Sequence, residues 1–138
     1  MMDIDAEDIL KQARSLTEEG KKEEARMCLL NLIKDKPENI AALLMLGGSY
    51  FEEENFKEAK LVFQQLIKIS PGTGLYSIAL FNALWRLKEI DEALEEIRRF
   101  MLHADKNTEK ETISRYLSTL EAMENINQIN GTAKPDSS

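Results

Sequence analysis

Three copies of the dipeptide Glu-Ala stand 34 residues apart, at Glu24-Ala25, Glu58-Ala59 and Glu92-Ala93, and Pro37 and Pro71 keep the same interval. A fixed period of this length marks stacked supersecondary units, each too small to bury its own apolar face and each covered by its neighbours. Ahead of the alanines, "LTEEGKKEEA", "YFEEENFKEA" and "LWRLKEIDEA" align as the end of one helix, a tight turn and the start of another. Within each unit apolar residues recur at spacings of three and four, which predicts amphipathic helices and excludes strands. The expected helices are Ala6 to Glu19 and Lys22 to Lys34, Ile40 to Glu53 and Phe56 to Lys68, and Leu75 to Leu87 and Ile90 to Leu102. Pro37 and Pro71 fall just past the second helix of a unit, where a missing N–H and a fixed φ stop propagation.

At this point the sequence resembles the tetratricopeptide repeat family, whose 34-residue pattern runs bulky, Leu-Gly, Tyr, then Ala, an aromatic and a closing Pro. The middle unit carries it through Leu43, Leu46, Gly47, Tyr50, Ala59, Phe63 and Pro71. The first unit keeps Ile9, Ala13, Gly20, Ala25 and Pro37, with Gln12 in place of the usual Leu and Leu29 in place of the aromatic. The third keeps Leu80 and Ala93 but has Ser77 at the bulky position, Phe81 at the small one, Ile97 for the aromatic and Asp105 for the proline. Small residues let the two helices of a hairpin approach closely. Gly47 is expected to face Ala59, and Ala13 to face Ala25, whereas Ser77 and Phe81 read as a compensating swap. The resemblance implies an all-α right-handed α-solenoid of three hairpins, with repeats at about 6–39, 40–73 and 74–107.

An array leaves its last apolar face open unless a cap covers it. Thr108 followed by Glu111 reads as a capping box, and Ile113, Tyr116, Leu117, Leu120, Met123 and Ile126 then recur as one apolar stripe. A seventh helix at 108–129 is therefore expected to pack on the third hairpin and to stop at Asn130-Gly131. The domain is read as 1–129, with 130–138 a flexible polar tail.

The chain's 138 residues fit one domain, and its net charge of −7 repels nucleic-acid phosphates and anionic lipid while favouring a basic protein surface. Neither nucleic acid nor membrane is an expected partner. Apolar runs such as "IAALLML" are far shorter than the roughly 18 residues that span a bilayer, and the opening "MMDIDAED" is acidic where a secretory signal is basic. With Cys28 the only cysteine, no intramolecular disulfide can form, and a reducing, cytoplasmic setting is expected. His103, the only histidine, falls at a helix end where it suits the exposed carbonyls, and Cys28 reads as a small hydrophobe. The acidic runs "EEEN" at 52–55 and "DEALEE" at 91–96 are interleaved with Lys and Arg and read as solvated helix faces. No enzymatic role, metal or cofactor is expected.

What remains is a surface. In the family, the first helices of successive hairpins line a concave groove. Carried onto this chain, the groove-facing positions are Glu7, Leu10, Arg14, Thr17 and Glu18; Ala41, Leu44, Gly48, Phe51 and Glu52; and Leu75, Ile78, Asn82, Trp85 and Arg86. Of these, Leu10, Arg14, Leu44, Gly48, Phe51, Ile78, Asn82, Trp85 and Arg86 form the candidate partner site. A glycine inside a helix costs on the order of 1 kcal/mol, so Gly48 needs a reason, either a cleared groove floor or a close helix contact. Trp85, Asn82 and Arg86 share a face and combine an aromatic anchor, an amide and a charge. Leu10, Leu44 and Gly48 occupy positions at which the family's carboxylate-clamp adaptors carry polar residues, so a co-chaperone role is disfavoured. The expected function is a non-enzymatic module that binds a protein or peptide with a basic surface, the protein itself being a monomer or weak homodimer. The segment "LYSIALFNALWRLKEIDEALEEIRRFM" is similar to short bacterial repeat proteins encoded beside polymorphic toxins, which implies an immunity protein. A self-associating scaffold or a general adaptor is the alternative.

Overall fold

The computed structural model describes residues 5–133, with side chains through Ile129, and within them the chain is all helix and turn. In order the elements are α1 (Ala6–Glu18), α2 (Lys22–Asp35), α3 (Ile40–Glu52), α4 (Phe56–Ile69), α5 (Gly74–Arg86), α6 (Ile90–His103) and α7 (Lys110–Ala133). The first six lie within a residue of the boundaries expected from periodicity. Consecutive helices pack on one another, so three hairpins, α1–α2, α3–α4 and α5–α6, stack in chain order.

Each hairpin turns through the same device. Gly20, Glu54 and Lys88 have φ of 81°, 64° and 63°, and they are spaced by the repeat. The next residue's N–H then reaches back to the helix: Lys21 to Leu16 O at 2.8 Å, Asn55 to Tyr50 O at 2.8 Å and Glu89 to Leu84 O at 2.9 Å. This is a Schellman closure, with the left-handed residue just past the helix end. Glycine takes that conformation without cost only in the first turn; Glu54 and Lys88 adopt it against the Cβ–carbonyl repulsion that disfavours it.

Alanines sit where the helices cross. Ala13, Ala59 and Ala93 are fully buried and Ala25 nearly so. Gly47 serves the same crossing, but the atoms nearest it belong to the Phe63 ring, on which an added methyl would fall; the family's aromatic, and not Ala59, is what this glycine accommodates.

A second device joins hairpin to hairpin. Arg26 on α2 donates to Glu53 at 2.7 Å and to Ser49 at 3.2 Å, with its guanidinium over the Tyr50 ring. One repeat later, Lys60 on α4 donates to Glu89 at 2.7 Å and lies 3.3 Å from Glu92. The hydrogen bond to Glu89 holds the Lys60 ammonium above its ordinary pKa, and the same bond holds the Glu89 carboxyl below its own. The equivalent position in the third hairpin is Leu94, which packs in the apolar cluster of Ile97, Phe100 and Tyr116.

At that end α7 takes over. Tyr116 is buried, its ring 5.6 Å from Phe100 and 5.7 Å from Phe81. Ser77 donates to Glu96 at 2.6 Å, so its single proton is committed and the Tyr116 hydroxyl donates to Ser77 Oγ at 2.7 Å. Arg99 closes the network, gripping Glu96 through two N–H groups at 2.6 and 2.7 Å and donating to Pro71 O at 2.8 Å. Two expectations are corrected here. Glu96 is not part of a solvated face, since its side chain is 4% exposed. Ser77 and Phe81 are not a swap of volumes either: a polar network occupies the space beside Ser77.

The start and reach of α7 also differ from expectation. The Asp105 carboxylate accepts from Asn107 N at 2.8 Å and Thr108 N at 3.2 Å, and this turn delays the helix to Lys110, so the Thr108–Glu111 capping box does not form. Glu109 instead turns back to α5, accepting from Gly74 N at 3.1 Å through both oxygens. The apolar residues of α7 are not one stripe. Steps of three residues drift about 60° each around a helix, so Leu117 and Ile126 point to opposite sides and both are 56% exposed. The helix passes through Asn130 and Gly131 to Ala133, because one glycine costs only about 1 kcal/mol. Residues 134–138 of the expected tail lie outside the described residues.

Two outcomes test this account. Lys88→Gly relieves a strained turn and should raise the unfolding free energy by about 0.5–1 kcal/mol in urea titrations. Burial, with the nearby Glu96 carboxylate adding to it, pushes the Tyr116 phenol up to about 12. The folded state therefore keeps this proton where the unfolded state loses it, and the contribution present below pH 10 disappears as pH rises toward 12. Spectrophotometric titration should show one phenolate component near pH 12 that is missing from Tyr116→Phe.

Candidate groove

The first helix of each hairpin presents one face toward a shared surface, and the repeat places Arg14, Gly48 and Asn82 at equivalent positions along it. Between α1 and α3 lies a cleft of about 390 Å³ whose lining includes Arg14, Thr17, Glu18, Leu44, Met45, Gly48 and Glu52. Between α3 and α5 lies a second, of about 440 Å³, formed by Gly48, Phe51, Glu52, Phe63, Ala79 and Asn82. Gly48 and Glu52 belong to both. A Cβ built at Gly48 would meet nothing within 4 Å, so of the two reasons for this glycine, close helix packing is removed and open floor remains.

The other groove positions divide. Leu10 is only 4% exposed and belongs to the core cluster of Ala13, Leu29, Leu32, Ala42 and Leu46. It is not a groove residue: Ala13 stands one turn further on, and that apolar side of α1 is drawn into the packing of α2 and α3. Ile78 is half-buried and lines a cleft with Glu111, Thr112, Ser114, Arg115 and Ser118 of α7, so the seventh helix takes this part of the surface. It leaves Asn82, Trp85 and Arg86 exposed.

These three residues do not form one patch. Asn82 lines the α3–α5 cleft. Trp85, 41% exposed, stacks on Phe81 at 5.6 Å and 22°, leaning toward α7. Arg86 leans the other way, its guanidinium 4.5 Å over the Phe56 ring and 3.5 Å from Glu54. Phe56 in turn meets Phe51 edge to face at 5.0 Å, so Arg86 braces a groove wall. Phe63, Ala79 and Met45 were missed as lining residues: each reads locally as core, and only the open space at Gly48 and Asn82 gives them a free edge.

The tetratricopeptide repeat family model matches residues 9–39 and 41–73. Residues 9–73 therefore carry two tetratricopeptide repeats. The matched residues are the first two hairpins; the third, with Ser77, Phe81, Ile97 and Asp105, is the one that departs from the repeat pattern. Among solved structures, one described as MamA AMB-1 is 17% identical, with a TM-score of 0.63 over 94% of this chain and 78% of that one. That likeness shows the fold, a helical repeat solenoid. No curated protein matches the sequence.

No helix among the described residues is long and apolar enough to cross a membrane. Cys28 is half-buried against the first core cluster, and His103 is exposed at the end of α6.

The paired glycines give an outcome of opposite sign at adjacent positions. Gly48→Ala adds a methyl to open space in a helix and should stabilise by about 0.5–1 kcal/mol. Gly47→Ala drives a methyl into the Phe63 ring and should destabilise by about 1–3 kcal/mol. Thermal and urea unfolding of the two variants checks both.

Proposed function

We propose that this protein is a non-enzymatic binding module that holds one protein partner across α3 and α5, with the half-buried ring of Phe51 and the exposed ring of Trp85 as anchors. The observation that carries the reading is Gly48. A helix-weakening residue stands in mid-helix with no packing reason and opens the floor between two clefts, which suits a partner's main chain or large side chain. An exposed Trp is the residue type most enriched at interface hot spots.

The more specific proposal is an immunity protein that neutralises a basic toxin by occupying it. The net charge of −7 supports this, because opposite fields raise association rates and favour a basic partner. Cytoplasmic location and the absence of nucleic-acid or membrane partners belong to the same proposal.

The test is to purify the product of a neighbouring gene that encodes a basic nuclease and titrate it with this protein. Inhibition with a dissociation constant weakened about thirtyfold by Phe51→Ala or Trp85→Ala, the effect of losing about 2 kcal/mol, is the expected result, with circular dichroism unchanged. Undiminished nuclease activity at excess protein removes the immunity role. Loss of fold in Trp85→Ala would instead make that residue part of the core.

A further inference from the structure

The two clefts that meet at Gly48 have different electrostatics. The α1–α3 cleft carries its own cations, Arg14, Lys22 and Arg26, beside Glu18 and Glu52. The α3–α5 pit has an apolar floor of Phe63 and Ala79, a wall of Phe51 and a rim of Glu52 and Asn82, with no cation among them. Among the described residues, the side chains of Glu52 and Asn82 have no hydrogen-bonding or ionic partner. Arg86, the nearest cation in sequence on α5, is turned away onto Phe56 and Glu54.

Resting on the groove reading above, we propose that the pit at Gly48 takes a lysine or arginine side chain of the bound partner. A long basic side chain is apolar along its stem and charged at its tip. Its methylenes lie over Gly48, Phe51 and Ala79, where an alanine methyl or anything larger on residue 48 would stand in the way. Its cation reaches the rim, where the Glu52 carboxylate and the Asn82 amide oxygen accept its hydrogen bonds. An acidic or purely apolar side chain satisfies only one of these surfaces. The negative field of the whole chain brings the basic segment to the pit, and the pit fixes its register.

The experiment selects short random peptides displayed on phage against the full chain, then measures the enriched peptides by fluorescence anisotropy. The expected result is a shared Lys or Arg in the enriched set. Glu52→Gln, and norleucine in place of that basic residue, should each weaken binding about tenfold, a loss of about 1.4 kcal/mol. The two changes should be non-additive, since each removes the same contact. Gly48→Leu, which improves helix propensity and fills the pit, should abolish selection of the basic residue while circular dichroism stays unchanged. Enriched peptides that are lost with Phe51→Ala and Trp85→Ala but share no basic residue, or additive effects of Glu52→Gln and norleucine, overturn the pit assignment and leave the groove reading standing. Peptides insensitive to every groove variant, or no enrichment at all, overturn both.

Discussion

Close approach of two helices at one small residue per hairpin is the constraint on which everything else in this protein depends. Ala25, Ala59 and Ala93 are each buried to 3% exposure or less, and a larger side chain at any of them would push the hairpin apart. Spreading a crossing also tilts the first helix, and the first helices carry the groove. The spacing of the clefts on either side of α3 is therefore set in part by buried alanines, of which Ala25 also lines the α1–α3 cleft. The left-handed turn residues hold the same geometry from the end of each hairpin, fixing where the second helix begins relative to the first.

Stacking depends on a different type of contact. A cation one position past the crossing alanine reaches the turn of the next unit, Arg26 to Glu53 and Lys60 to Glu89. These pairs are partly buried, and their position in the repeat keeps each hairpin in register with the next. The third hairpin carries Leu94 there, and registry at the end passes to the buried Tyr116, Ser77 and Glu96 with the half-buried Arg99. A buried carboxylate with three donors to it is compatible with a packed core. It also explains why the third unit departs from the repeat pattern: Ser77 is required by the network and not by the hairpin crossing.

The helices were legible because their signals are local. A 34-residue period, prolines after second helices and apolar spacing of three and four locate α1 to α6 to within a residue. The Gly48 opening was legible for the same reason, as a residue whose cost had no local explanation. The polar network was not, since Ser77 meets partners 19 and 39 residues away and nothing in the spacing of "DEALEE" separates buried Glu96 from exposed Glu95. The burial of Leu10 and the partial cover over Ile78 likewise depend on which neighbouring helix arrives at each face. In α7 the spacing rule itself misled, because repeated steps of three satisfy it while turning the apolar residues around the helix.

The stacked rings at the end of the array make the protein carry its own optical probe. Trp85 is the only tryptophan; it stacks on Phe81, and Phe81 touches Tyr116, which holds α7 in place. Indole emission consequently reports on the last hairpin and its seventh helix, while far-ultraviolet dichroism sums over all seven. In a quasi-one-dimensional array, where each unit is stabilised only by its neighbours, those two signals coincide only if the array melts as a unit. The separation between them would measure how strongly the hairpins are coupled, with no label added.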